Sequence, residues 1–145
     1  MIALIQRVNY AKVYLASELY SEITEGLLVL VGVEKKDSNV NAERLVDKLL
    51  AYRIFGDAMG KMNLSVKDKD GGVMLVSQFT LAAETNKGLR PSFSSAKPPL
   101  EAEKIFNYLV KFSKNNYSNI VSGKFGADMR IVLENNGPVT FHLKS

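Results

Sequence analysis

The segment Gly26-Leu27-Leu28-Val29-Leu30-Val31-Gly32-Val33 constrains this chain's fold more than any other. An apolar run this short, bounded by glycines and lacking any polar residue to face solvent, predicts a strand covered on both faces. Such a strand requires a packed layer on each side. Residues 1–16 are rich in strand formers and offer a partner for it. After Asp37-Ser38, either of which can cap a helix, Ala42, Leu45, Val46, Leu49 and Leu50 recur at three- and four-residue spacing. That spacing predicts an amphipathic helix of about three turns. Pro98-Pro99 opens a second helix, with Ala102, Ile105, Phe106, Leu109 and Val110 on one stripe, running to about Lys114.

Between the helices the pattern predicts a short strand over 51–55, a turn-rich stretch over 56–72 and a long strand over 73–83. Strands at 119–122, 127–133 and 139–143 follow the second helix. The fold class is therefore α+β, with largely antiparallel sheets and two main helices packed on them. So many strands leave pairing edges unless the sheet curls, closes or dimerises, and a barrel-like sheet or a dimer is expected. A length of 145 residues and a hydrophobic content of 46% fit a single domain over 1–145. The chain shows no internal repeat, low-complexity tract or linker.

Composition removes several kinds of chemistry. There is no cysteine, hence no disulfide, thiolate nucleophile or Cys-rich metal site. The one histidine, His142, sits near the end of the chain and suits a surface strand; a Ser-His-Asp arrangement would have to use it. Acidic residues are scattered along helices and turns, so neither a metal nor a cofactor is expected. The first residues lack a signal peptide's apolar core and no run approaches the length of a membrane span, so a cytoplasmic protein without a membrane partner is expected. The net charge of +4 points only faintly to an anionic partner.

Three segments stand apart from ordinary scaffold. In Ser77-Gln78-Phe79-Thr80-Leu81, polar residues interrupt an apolar strand, and alternation places Ser77 and Phe79 on one face and Gln78 and Thr80 on the other. They are either satisfied core groups or the lining of a polar site. Neither Ser77 nor Thr80 has a visible base to activate it as a nucleophile. The loop from Thr85 to Ser95 carries Lys87 and Arg90, suited to phosphate oxygens, though a solvated connector reads equally well. The third segment, Asn135-Asn136-Gly137-Pro138-Val139-Thr140, reads either as a hairpin turn or as a cis Gly137-Pro138 bond that points consecutive carbonyls to one side, as acceptors for an ammonium group.

Taken together and in order, these segments resemble the D-aminoacyl-tRNA deacylase family, formerly named for D-tyrosyl-tRNA. The likeness spans nearly the whole chain, from Ile5-Gln6-Arg7-Val8 and the 26–33 run through Arg53-Ile54-Phe55-Gly56-Asp57 and Gly60-Lys61-Met62-Asn63-Leu64-Ser65. It continues with Ser77-Gln78-Phe79-Thr80-Leu81, Gly88-Leu89-Arg90-Pro91-Ser92-Phe93, Phe125-Gly126-Ala127-Asp128-Met129 and Gly137-Pro138-Val139-Thr140. The resemblance implies a homodimer of barrel-like subunits that hydrolyses the ester of D-aminoacyl-tRNA, and of glycyl-tRNA mischarged on tRNA(Ala), without a cofactor. It implies that Gly137-Pro138 is cis and reaches into the partner subunit's pocket to hold the substrate ammonium, with Arg7 fixing its carbonyls. It further implies that Ser77, Gln78, Phe79 and Thr80 line the site of the ester, and that Phe125, Ala127 and Met129 lie near the terminal adenosine. Lys87 and Arg90 are placed with the tRNA. This sequence departs from the family pattern at Asn135-Asn136, where Asn-Asp usually precedes Gly-Pro, and at Ala16-Ser17-Glu18, where an Asp-Gly-Glu-like turn is usual.

The implied chemistry suits a chain with so little side-chain apparatus. An aminoacyl ester beside a 2'-hydroxyl and an α-ammonium is already activated, so orientation, a placed water activated by that hydroxyl and donors near Phe79 for the oxyanion suffice. Two rivals remain. One is a non-catalytic RNA-binding module using Lys87, Arg90, Lys97, Lys124 and Arg130 with Phe93 or Phe125; the other is an esterase with a Ser77 or Thr80 nucleophile.

Overall fold

The computed structural model describes residues 1–86 and 88–145. Strand β1 (Ile2–Leu15) turns through Ala16-Ser17 into β2 (Glu18–Ile23), which continues into β3 (Gly26–Gly32). Both lie along one edge of β1 in a common register, Ala11 opposite Ile23 and Val8 opposite Gly26. The chain then crosses through α1 (Asn39–Ala51) and a small ribbon of β4 (Phe55–Gly56) and β5 (Met62–Leu64) to β6 (Gly72–Ser77), which pairs parallel with β3. A second crossover through α2 (Pro99–Asn116) leads to β7 (Ile120–Ser122), parallel to β6. Finally β8 (Arg130–Lys144) runs antiparallel along the free edge of β1.

Strand β3 is buried on both faces, as its composition predicts. Leu27, Val29 and Val31 enter a core shared with Ala3 and Ile5 of β1, Leu45 and Leu49 of α1, and Phe106 and Leu109 of α2. Leu28 turns instead into a second core with Val8, Ala11, Val13, Met74 and Val76. Along β1, Ala3 and Ile5 face the helices and Val8 faces away, as alternation requires. Ala11 and Val13 then break parity by joining Val8. The cause is a slip against β8 between Val8 and Tyr10, which leaves Asn9 as an extra residue. A bulge of this kind reverses the faces and bends the strand, curling the sheet around the second core into a nearly closed barrel.

Several expectations are corrected. The strand predicted over 51–55 is confined to Phe55–Gly56: the buried Leu45, Leu49 and Leu50 carry α1 as far as Ala51, and the ladder with β5 takes in only Phe55 and Gly56. The turn-rich stretch over 56–72 contains β5. The strand predicted over 73–83 stops at Ser77 and gives way to a 3₁₀ turn, Phe79–Ala82. Its parallel partner explains this: pairing with β3 ends at Val31 opposite Ser77, the Gln78 N–H makes a last bond to the Val31 carbonyl at 2.7 Å, and the next carbonyl on that side, that of Val33, accepts from the Lys97 N–H instead. Alternation therefore does not govern Phe79 and Thr80. Residues 127–133 and 139–143 are not two strands joined by a hairpin: from Arg130 onward the chain is one strand held by β1 on both sides of Gly137-Pro138.

Candidate active site

Where β6 ends, Gly32 lets the 3₁₀ turn lie across β3. A Cβ there would sit 2.9 Å from Leu81 Cβ and 3.3 Å from the Gln78 carbonyl. The close approach brings Ser77, Gln78 and Phe79 to one wall of a cavity of about 650 Å³. Phe125, Ala127, Met129 and Ile131 form another wall, and Phe93, Lys97 and Pro98-Pro99 at the entry to α2 complete the lining. Ser77 and Gln78 are half-buried, whereas Phe79 is 60% exposed. Its ring packs on Phe93 with centroids 5.0 Å apart. Phe125 is anchored from below by the buried Phe106 at 5.9 Å, so core packing fixes the position of one cavity wall.

The side chains offer little conventional catalysis. Lys97 donates to the Lys35 carbonyl at 2.9 Å and pairs with Glu101 at 3.7 Å, so its side chain is held at the rim by two partners. Asp128 is the one carboxylate on the wall among the described residues. His142 is exposed on β8 opposite Leu4 and does not line the cavity. Among the described residues no three His, Cys, Asp or Glu side chains gather to hold a metal ion. Neither is any helix among them long and apolar enough to cross a membrane.

The Gly137-Pro138 segment forms a second feature, away from that cavity. Gln6 pairs with Thr140 and Val8 with Asn135, so a single residue of β1, Arg7, faces four of β8, Asn136 to Val139. Those four bulge outward with Gly137 and Pro138 exposed, and the peptide bond between these two is cis. Arg7 holds the base of the bulge: its Nε donates to the Asn136 carbonyl at 3.0 Å and its Nη1 to the Ile54 carbonyl at 2.8 Å. Gly137 has φ of 139°, and a Cβ on it would meet Val139 Cγ2 at 2.4 Å and Arg7 Nη2 at 3.0 Å. No other residue type fits that position without displacing the guanidinium.

The structure thus gathers Ser77, Gln78, Phe79, Phe125, Ala127 and Met129 around one cavity, and Arg7 with Gly137 and Pro138 at one bulge. It does not join the two sets: none of the bulge residues lines the cavity. Thr80 is exposed and outside the lining, as is Arg90. Lys87 lies outside the described residues. Of the other cations, Arg130 stacks over Tyr14 at 4.3 Å. The wall residues Pro98, Pro99 and Ile131 were not apparent as site residues, since the Pro-Pro pair reads as a helix start and Ile131 as part of the strand predicted over 127–133.

The sequence profile described as D-Tyr-tRNA(Tyr) deacylase matches residues 4–144. The chain belongs to that family. It is 54% identical over 145 residues to a D-aminoacyl-tRNA deacylase of Stutzerimonas stutzeri, covering 100% of both chains. A protein of the same name from Pseudomonas putida is 54% identical over 144 residues, covering 99% of each. Among solved structures, a c-Myc DNA unwinding element binding protein superposes with a TM-score of 0.96 at 39% identity, covering 100% of this chain and 99% of that one. A probable eukaryotic D-amino acid tRNA deacylase shares the fold, with a TM-score of 0.84 at 15% identity over 98% of both chains. Within the family, the departure at Asn136 is accommodated here by a bond from its Nδ2 to Asn9 Oδ1 at 2.7 Å. The departure at Ala16-Ser17 leaves both residues at positive φ, 44° and 75°.

Proposed function

We propose that this chain, a D-aminoacyl-tRNA deacylase and so a hydrolase acting on ester bonds, selects its substrate by pairing its cavity with the Gly137-Pro138 bulge of a second subunit. The observation that carries this reading is the separation of the two features: a roomy, largely apolar cavity with no nucleophile–base pair among the described residues, and an exposed, braced bulge whose Gly137 and Pro138 carbonyls, unlike those of Asn136 and Val139, accept no side-chain hydrogen bond from the described residues of their own subunit. In a homodimer each bulge would enter the other subunit's cavity, and its carbonyls would accept hydrogen bonds from the substrate's α-ammonium. The terminal adenosine of the tRNA would lie along Phe125, Ala127 and Met129, an apolar wall suited to a base.

The chemistry then needs little from side chains. The first N–H groups of a 3₁₀ turn have no acceptor within the turn, so those of Phe79 and Thr80 are available to a developing oxyanion. The ester's 2'-hydroxyl activates the attacking water. With ammonium, carbonyl and nucleotide all fixed, a D-side chain points outward and an L-side chain collides with Gly137-Pro138. Glycine has nothing to exclude, so glycyl-tRNA mischarged on tRNA(Ala) is also a substrate. Selection in the cytoplasm, where aminoacyl-tRNA is made, follows from that substrate.

The test is parallel deacylation of D-tyrosyl- and L-tyrosyl-tRNA by wild type and Gly137→Ala. Release of D-tyrosine alone by wild type, with activity or selectivity falling at least about tenfold in the variant, supports the reading. If wild type releases neither and binds charged and uncharged tRNA equally, a nucleic-acid-binding module replaces it. Thr80→Ala retains substantial activity under this mechanism; a folded Thr80→Ala with no turnover would instead make Thr80 the nucleophile.

A further inference from the structure

The bulge interrupts the β1–β8 ladder, and whatever closes its neck determines where its tip points. Pairing with β1 stops at Asn135 on one side and resumes at Thr140 on the other. Across that gap one side chain supplies the missing bonds. The Val139 N–H donates to Asn135 Oδ1 at 2.7 Å, and Asn135 Nδ2 donates to Thr140 Oγ1 at 3.1 Å and to the Val139 carbonyl at 3.3 Å. The carboxamide therefore uses its acceptor and its donor together, which few residue types can do at this length. Asn136 and Asn9 brace the outer side, with Asn9 donating in turn to Glu134.

We infer that Asn135 is a positioning residue for substrate selection: its carboxamide staples residues 135 and 139–140 together and so holds the Gly137-Pro138 tip at a fixed height and angle. Asn135 touches no substrate. It acts through Val139, whose N–H would otherwise lack a ladder partner and whose Cγ2 occupies the space beside Gly137. Arg7 fixes the N-terminal side of the bulge through the Asn136 carbonyl, and Asn135 fixes the C-terminal side. A tip held from one side only would swing, and a clash meant for L-side chains would blur before the fold was lost. The inference rests on the proposed role of Gly137-Pro138 in selection.

The experiment compares wild type, Asn135→Ala, Asn135→Leu, Asn135→Asp and Gly137→Ala, measuring kcat and KM on D-tyrosyl-tRNA and release of L-tyrosine from L-tyrosyl-tRNA, with thermal unfolding of each variant. Asn135→Ala and Asn135→Leu are expected to lower the D-over-L ratio of kcat/KM about tenfold or more, while Tm stays within a few degrees of wild type. Asn135→Asp keeps the shortest bond, to the Val139 N–H, and should recover part of the ratio. A residue that merely stabilises the fold would lower D and L rates in parallel with the folded fraction, leaving the ratio unchanged, and that result overturns the inference. If Gly137→Ala collapses selectivity and the Asn135 variants do not, Asn135 alone loses its role. If Gly137→Ala leaves selectivity intact, the reading of the tip itself fails.

Discussion

At the scale of single residues, the proposed mechanism rests on main-chain groups held by side chains more than on side chains acting directly. Arg7 illustrates this. Its guanidinium spends two donors on the carbonyls of Asn136 and Ile54, linking the bulge to the chain just before β4. Replacement by lysine would keep the charge and lose the fork, and selectivity should fall although net charge is unchanged. Far from the cavity, two aspartates set an acid limit on stability. Asn63 first, then the Lys61 N–H, hold the Asp57 carboxyl below its ordinary value, and the Ser65 hydroxyl and N–H do the same for Asp68. A carboxyl depressed in the folded state contributes stability that is present above its unfolded pKa and lost as pH falls through the folded one. The wild-type Tm should therefore decline as pH drops below the ordinary carboxylate range, and an Asp57→Asn, Asp68→Asn double variant should show a shallower decline. Thermal unfolding across pH 2 to 7 measures it, and equal slopes would remove these carboxyls from the account.

At the scale of elements, legibility followed whether a segment's fate was decided by its own residues. The apolar run of β3 and the stripes of α1 and α2 were readable because burial is written into their spacing. The end of β6 was not readable: Ser77 to Ala83 has strand composition, but the pairing of β6 with β3 ends at Val31 opposite Ser77. Likewise Asn-Gly-Pro gives the same local signal in a hairpin turn and in a bulge, and only β1, passing alongside both halves of β8, decides between them. The cavity wall and the bulge were assigned from the family resemblance, while the Asn135 clamp went unnoticed because a pair of asparagines ahead of a glycine is what any turn would use. Two predictions belong here. Gly32→Ala, by forcing the 3₁₀ turn off β3, should cut activity about tenfold with the cavity walls from 125–131 intact, measured as kcat/KM on D-tyrosyl-tRNA. Replacing Ala16-Ser17 by Asn-Gly should stabilise the β1–β2 hairpin, because φ of 44° and 75° is unfavourable for alanine and serine and favourable for that pair. A gain of about 1 kcal/mol, or about 3 °C in Tm, is expected; no gain would mean that the turn's strain is relieved elsewhere.

At the scale of the whole molecule, the barrel separates the two features that the proposed mechanism combines. The cavity opens where β6 gives way to its 3₁₀ turn, the bulge proposed to select the substrate stands on β8, and no residue of the bulge lines the cavity. A subunit alone would then hold half a site, and two defective subunits of complementary kind should restore one another. Gly137→Ala damages the bulge and leaves the cavity whole; Ala127→Trp fills the cavity and leaves the bulge whole. In a mixed dimer, the intact cavity of the first chain receives the intact bulge of the second, giving one working site, while the other site combines both defects. Random exchange makes about half of the dimers mixed, so about a quarter of all sites should regain D-selective turnover although each variant alone has little. If bulge and cavity served within one chain, every site in the mixture would carry one defect or the other, and mixing would restore nothing. Co-refolded or subunit-exchanged mixtures assayed on D-tyrosyl-tRNA, with size measured in parallel, distinguish these arrangements without a structure of the complex.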